Sequence, residues 1–182
     1  MSKYPELDAL DKEELIKVIE DEAKNWLAHD GLWFQAVERH FGMDAAIKLD
    51  EEAWKDFTQI EARRIIERLN LPENSGLDGL EKALNFRMYR RINEQVIERP
   101  DEHTLILKMV TCRVQAARQR KKMPFFPCKS VGIIEYGYFA STIDSRIKTR
   151  VIKCPPDDIT GAGYHCAWEF KLEEEEVGYV FI

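Results

Sequence analysis

The sequence predicts an α+β fold: helices packed with a roughly four-stranded antiparallel sheet that carries one inserted helix. Up to about residue 92, apolar residues recur at steps of three and four, the period of a helix buried along one face. Beyond that point the period falls to two, and turn residues separate short apolar runs, as in strands. The 182 residues read as a single domain, with a helical half at 11–91 and a sheet-containing half at 92–182. That is enough chain to bury a sizeable core.

Asp11 stands where an N-cap belongs, with Glu14 three residues on to complete a capping box. Leu15, Ile19, Glu22, Trp26, His29, Trp33, Ala36 and His40 then share one helical face. Ala23, Leu27, Asp30, Phe34, Val37 and Phe41 form the adjoining row. Gly42 suits the stop, and Gly31 is a point where the segment could bend. A second helix opens at Asp44, is marked by Ile47, Trp54, Phe57, Ile65 and Leu69, and ends at Pro72 and Glu73-Asn74-Ser75-Gly76. Asp78 and Glu81 make the capping box of a third helix running to about Arg90.

Val96 and Ile97, then Leu105 to Val110, read as strands joined by the turn Arg99-Pro100-Asp101-Glu102. The inserted helix, from Ser130 to about Thr142, starts just after Pro127 and Cys128. Strands over Arg146 to Cys154 and Tyr164 to Leu172 close the pattern. In the last, Cys166, Trp168, Phe170 and Leu172 alternate with His165, Ala167, Glu169 and Lys171. Between these strands, Pro155-Pro156-Asp157-Asp158 and Gly161-Ala162-Gly163 form a hairpin connection. After the acidic run Glu173 to Glu176, the tail Val177-Gly178-Tyr179-Val180-Phe181-Ile182 is too apolar to leave in water. It is expected to add an edge strand or pack on its own domain, with a contact across a homodimer as the other reading.

A composition of 45% hydrophobic and 33% charged residues is that of a soluble globular protein. The net charge of −6 argues against a nucleic-acid partner, which calls for a basic surplus. No run of about 18 apolar residues occurs, and the first residues lack the apolar core of a signal peptide. No membrane partner is therefore expected, and the expected compartment is the cytoplasm, where thiols stay reduced.

Four cysteines bound the chemistry: Cys112, Cys128, Cys154 and Cys166. As a zinc site their spacing is poor, because no Cys-x-x-Cys pair is present to aim two thiolates at one ion. No metal and no cofactor are expected, with zinc held by Cys154, Cys166 and His165 at the ends of adjacent strands as the lesser alternative. Cys154 and Cys166 read as small buried apolar residues. Cys128 differs: it precedes a helix start and neighbours Lys129, and both features lower a thiol's pKa. His29 and Asp30, between Trp26 and Trp33, place an ionisable pair inside an aromatic row. Asp144 and Arg146 are a charge pair or an anchor for a substrate carboxylate. The run Arg113, Arg118, Arg120, Lys121 and Lys122 reads as a solvated loop, with anion binding as its functional alternative.

The order Cys112, Cys128, a helix, Asp144, Arg146, Thr149 and the ending Gly163-x-x-Cys166-x-Trp168-x-Phe170 resembles the L-2-amino-thiazoline-4-carboxylic acid hydrolase-like family, over roughly residues 92–172. The helical half, with Asp30-Gly31-Leu32-Trp33-Phe34 and Phe41-Gly42-Met43, resembles a bacterial family of uncharacterised cytosolic proteins. The ending is also similar to the 4-vinyl-reductase type of small-molecule-binding domain, in which a paired-cysteine motif closes the sheet.

Two functions are expected from this. One is a ligand sensor or carrier whose small-molecule pocket lies between the helices and the sheet. Its wall would draw on Trp26, Asp30, Trp33, Cys112, Tyr138, Asp144, Arg146 and Cys166. The other is hydrolysis of a C–N bond in a small cyclic or amidine-like carboxylate. Cys128 would be the nucleophile, His29 a proton carrier and Arg146 the carboxylate anchor. The inserted helix sets Cys128 and Arg146 about 20 Å apart at 1.5 Å per residue, so one compact site holds both only if the chain folds back.

Overall fold

A computed structural model describes residues 2–173, so the apolar tail Val177 to Ile182 and its expected strand or dimer contact lie outside the described residues. Within them the helices are α1 (Pro5–Asp8), α2 (Lys12–Phe41), α3 (Met43–Leu69), α4 (Gly76–Leu84), α5 (Tyr89–Ile92), α6 (Arg113–Arg120) and α7 (Lys129–Ile143). The strands are β1 (Gln95–Asp101), β2 (Thr104–Met109), β3 (Ile147–Lys153) and β4 (Cys166–Leu172). All neighbouring pairs are antiparallel, in the order β1-β2-β4-β3. The α+β expectation holds. No helix is long and apolar enough to cross a membrane among the described residues.

The capping box at α2 forms as expected: Asp11 accepts from the Glu14 amide at 2.8 Å, and Glu14 accepts from the Asp11 amide at 3.0 Å. The helix then runs unbroken through Gly31 to Phe41, so no bend divides it. Gly42, at φ 88°, ends α2 and opens α3; this left-handed backbone suits glycine, which has no Cβ. Helix α3 packs along both α2 and α7, with Thr58 donating to the Glu135 carbonyl at 3.0 Å.

Helix α4 corrects one expectation. It starts at Gly76, and Asp78 and Glu81 do not cap it but hold Arg99 from outside. The free Gly76 amide donates instead to the Asp144 carboxylate at 2.9 Å, from a residue 68 positions away. The helix also stops at Leu84; only after a break does the short α5 follow. A second correction concerns the basic run, which is helix α6 rather than a solvated loop. Arg118 is buried there and grips Glu38 of α2 with two bonds, at 2.7 and 2.9 Å, while its Nε donates to the Pro124 carbonyl. The first hairpin also turns later than expected, because β1 extends through Arg99 and Pro100 to Asp101.

The alternation in β4 sets one face of the sheet against the helices. Trp168 and Phe170 are fully buried and pair across the strands with Leu107 and Leu105. Tyr136 and Phe139 of α7 close over that face; the Tyr136 and Trp168 rings lie 5.0 Å apart. A second apolar cluster of Trp54, Phe126 and Val131 forms under α2, joined by Trp26, Phe34 and Phe57. The main core thus lies between sheet and α7, and the smaller one between α2, α3 and the start of α7.

Two substitutions test this packing. A Cβ on Gly132 would lie 2.5 Å from Trp168, whereas one on Gly137 of the same helix meets nothing within 4 Å. Gly132→Ala should cost about 1–3 kcal/mol in urea unfolding, while Gly137→Ala should be neutral or stabilising by up to about 1 kcal/mol. Equal effects would mean that Trp168 does not stand against α7 as described.

Candidate functional site

The two apolar clusters leave a cavity of about 410 Å³ between them, at the junction of the helical and sheet-containing halves. Helix α2 supplies Leu27, Asp30, Gly31 and Phe34; α3 supplies Asp50 and Trp54. The far wall comes from Glu135 and Tyr136 of α7, Met109 and Trp168 of the sheet, and Gln115 of α6. All four cysteines border it, brought from four separate stretches of chain.

Three carboxyl groups face this space. Burial pushes the pKa of Asp50 up to about 8, with the neighbouring Asp30 and Glu135 adding to the effect. Burial likewise raises Glu135 to about 7, against the pull of Arg87, and Asp30 to about 6, against the pull of His29. Arg87 donates from Nε to Glu61 at 2.8 Å and brings Nη2 within 2.8 Å of Glu135 Oε1. The second contact is an ion pair without hydrogen-bond alignment, since Oε1 has no hydrogen-bond partner. Burial works against the Arg87 charge, but these two carboxylates outweigh it and raise its pKa.

The thiols are unequal. Cys128 Sγ lies 3.6 Å from Cys154 Sγ and accepts from Gln115 Nε2 at 3.5 Å. The Cys154 hydrogen bond lowers the Cys128 pKa; burial opposes it and Gln115 helps. Cys154, hydrogen-bonded to Cys128 and Cys166 and almost without exposure, is pushed strongly upward. Burial raises Cys112 to about 12. Cys166 accepts from the Trp168 indole at 3.3 Å. The Cys128 pKa is lowered as expected, but by its hydrogen bonds with Cys154 and Gln115 and not by Lys129, whose ammonium pairs with Asp157. Gln115 also fixes the Cys128 segment, donating to the Phe126 carbonyl at 2.8 Å and accepting from its amide at 2.9 Å.

Of the residues singled out in the sequence, Asp30, Cys112, Cys128 and Cys166 border the cavity; His29, Trp33, Trp26, Tyr138, Asp144 and Arg146 do not. The reason for the first two is rotational. The inward face falls across both rows: Ala23, Asp30 and Phe34 of one and Trp26 of the other turn inward, Trp26 into the smaller apolar cluster, while Ile19, His29 and Trp33 face solvent, with Trp33 67% exposed. His29 is therefore not brought to Cys128 as a proton carrier. Tyr138 stands on the outer side of α7, where Lys55 reaches over its ring. Arg146 binds Asp144 at 2.7 and 3.0 Å, and Asp144 in turn caps α4. Arg146 lowers the Asp144 pKa, so this pair is a helix anchor rather than a ligand clamp. No group of three or more His, Cys, Asp or Glu side chains fit to hold a metal ion occurs among the described residues.

Sequence reasoning missed Asp50, Gln115 and Glu135. One signal was available: Glu135 is the only charged residue between Lys129 and Asp144, in an otherwise apolar helix.

Fold and site together define an α+β protein with a largely apolar, partly open cavity bordered by thiols and carboxyl groups. The chain belongs to a family of unknown function, DUF6125, whose model matches residues 8–172 and so runs through both halves. No curated protein matches the chain.

The carboxyl groups make stability depend on pH in a stated direction. A carboxyl whose folded pKa is raised stabilises fully below its unfolded pKa, about 4, and loses that contribution as pH rises through the folded value. For Asp50, the window runs from about pH 4 to about 8. Asp50→Asn should therefore gain at least about 1 kcal/mol relative to wild type between about pH 5 and pH 8, or about 2–4 °C in Tm. Thermal unfolding across that range decides it; a constant difference would mean that Asp50 is not held neutral.

Proposed function

We propose that this protein binds a small molecule in the cavity between α2, α3 and the sheet, as a ligand sensor or carrier acting in the cytoplasm. The observation that carries this reading is the cavity itself: about 410 Å³, walled by Phe34, Trp54, Phe126, Val131 and Trp168, with few polar groups among them. That size and lining match pockets that enclose small organic ligands. The carboxyl groups give polarity without closing the space, and the exposed Arg113, Arg120 and Lys121 border its edge.

Anilinonaphthalene sulfonate, whose emission rises in apolar surroundings, probes this directly. It should bind saturably at one site on the native protein. Gly31 borders the cavity, and a Cβ there meets nothing within 4 Å. Gly31→Phe should therefore fill space without breaking the fold and weaken dye binding at least about tenfold, a difference of 1.4 kcal/mol. Unchanged affinity in a variant with native circular dichroism would remove the reading.

A second reading, cysteine-dependent hydrolysis of a C–N bond in a small cyclic or amidine-like carboxylate, draws on one observation. The Cys128 thiol opens on the cavity with a lowered pKa. Its base would come from a cavity carboxyl rather than His29, and its anchor from Arg113 rather than Arg146. With 2-amino-thiazoline-4-carboxylate as probe, ring opening should require Cys128 and vanish in Cys128→Ala. Turnover no faster than in buffer rejects it.

A further inference from the structure

We propose that Cys128 and Cys154 form a dithiol site for organic hydroperoxides, in which Cys128 is oxidised first and Cys154 resolves it to a disulfide. This goes beyond ligand binding, since it requires the cavity to admit a reactant but no particular occupant.

The two sulfurs are already in contact at 3.6 Å, with no bond between them. Their backbones are tied together. The Lys129 amide donates to the Pro155 carbonyl at 2.9 Å, the Cys154 amide to Asp157 at 3.2 Å, and Lys129 forms an ion pair with Asp157. The turn after β3 is thus fastened to the first turn of α7, and the thiols are held opposite each other. Their environments differ in the way a nucleophile and a resolving thiol require. Cys128 accepts from Gln115 and is half-buried; Cys154 is 1% exposed and lies against Cys128 and Cys166. A thiolate is the reactive form, and the hydrogen bonds to Cys128 favour it. Apolar walls around Cys128 favour an organic hydroperoxide over hydrogen peroxide, which loses more hydration on entering.

The chemistry balances without a further reactant. The Cys128 thiolate attacks the terminal oxygen of ROOH, the O–O bond breaks, and the alkoxide takes a proton to leave as ROH. Cys128 is then a sulfenic acid. The Cys154 sulfur attacks that sulfur, the S–O bond breaks, and water leaves as the disulfide forms. Two thiols lose two electrons and two protons, and the hydroperoxide becomes an alcohol and water.

The test uses the pre-reduced full chain, cumene hydroperoxide and hydrogen peroxide as probes, and peptide mapping by mass spectrometry. Cumene hydroperoxide should yield a Cys128–Cys154 disulfide at least about tenfold faster than it oxidises glutathione, and faster than hydrogen peroxide does. Cys154→Ala should stop at a sulfenic acid on Cys128, trapped by dimedone, while Cys128→Ser should leave Cys154 reduced. A disulfide joining other cysteines, or oxidation of Cys128 no faster than glutathione, overturns the proposal. Should Cys154→Ala fail to fold, the wild-type map alone decides. Dye binding by the reduced wild-type protein keeps the two readings separable, since saturable binding without Cys128–Cys154 disulfide formation rejects the dithiol site alone.

Discussion

The buried guanidinium of Arg87 is the constraint on which the rest of the structure depends. It is 3% exposed and carries a charge that would be costly there without compensation. Compensation comes from three directions. Glu61 of α3 accepts from Nε, Glu135 of α7 lies against Nη2, and the Phe139, Tyr136 and Tyr89 rings lie 4.6, 5.2 and 5.7 Å from the guanidinium carbon. Glu61 also accepts from the Met88 amide at 3.0 Å, which fixes the approach to α5. One side chain therefore joins α3, α5 and α7 by interactions that tolerate little displacement. It also determines what the cavity contains. A carboxyl buried in α7 has a reason to sit at the wall only because a cation stands behind it, and that cation leaves one face of Glu135 toward the open space.

The space persists because its neighbours are too rigid to collapse into it. Trp26, Trp54, Phe57 and Tyr89 meet in stacked and edge-on pairs with centroids 5.4–6.0 Å apart. This block ties α2 to α3 and α5. On the other side, Trp168 lies against Gly132, where any side chain would displace it. Between these walls stand small residues, Ala28, Gly31 and Ala117, which leave volume unfilled. The Arg118–Glu38 pair pins α6 across the same gap, so the edge that carries Cys112 and Gln115 is tied to α2 by charge rather than by packing. A cavity bounded in this way can coexist with a close-packed core, because the polar ties carry the separation that apolar contacts alone would close.

How much of this was legible in the sequence depends on which physical signal each feature leaves. The capping box at Asp11, the alternation in β4 and the helix after Cys128 are local patterns, and each forms as its residues dictate. The pairing order and the cap that Asp144 gives to α4 are long-range; the helix used a carboxylate 68 residues away although Asp78 and Glu81 stood in register to serve. For α2, periodicity separated two rows but could not say where the inward face falls, because both hold aromatic and ionisable residues and Trp26 of one turns inward with Phe34 of the other. One row includes Trp33 and His29; the other has Asp30 and Phe34. What decides between them is the shape of the partner surface. Phe34 meets Phe126 at 4.6 Å, and the Trp26 ring stacks on Phe57. Those two contacts set a rotation that turns Trp26 inward together with Asp30 and Phe34 of the adjoining row, carries Asp30 to the cavity wall, beside Asp50, and leaves His29 in water. The thiols follow the same logic. Their spacing along the chain made them look scattered, yet the antiparallel register sets Cys166 opposite Met109, three residues before Cys112, and the turn after β3 returns Cys154 to Cys128. Proximity here is a property of strand order, which no pairwise spacing in the sequence encodes.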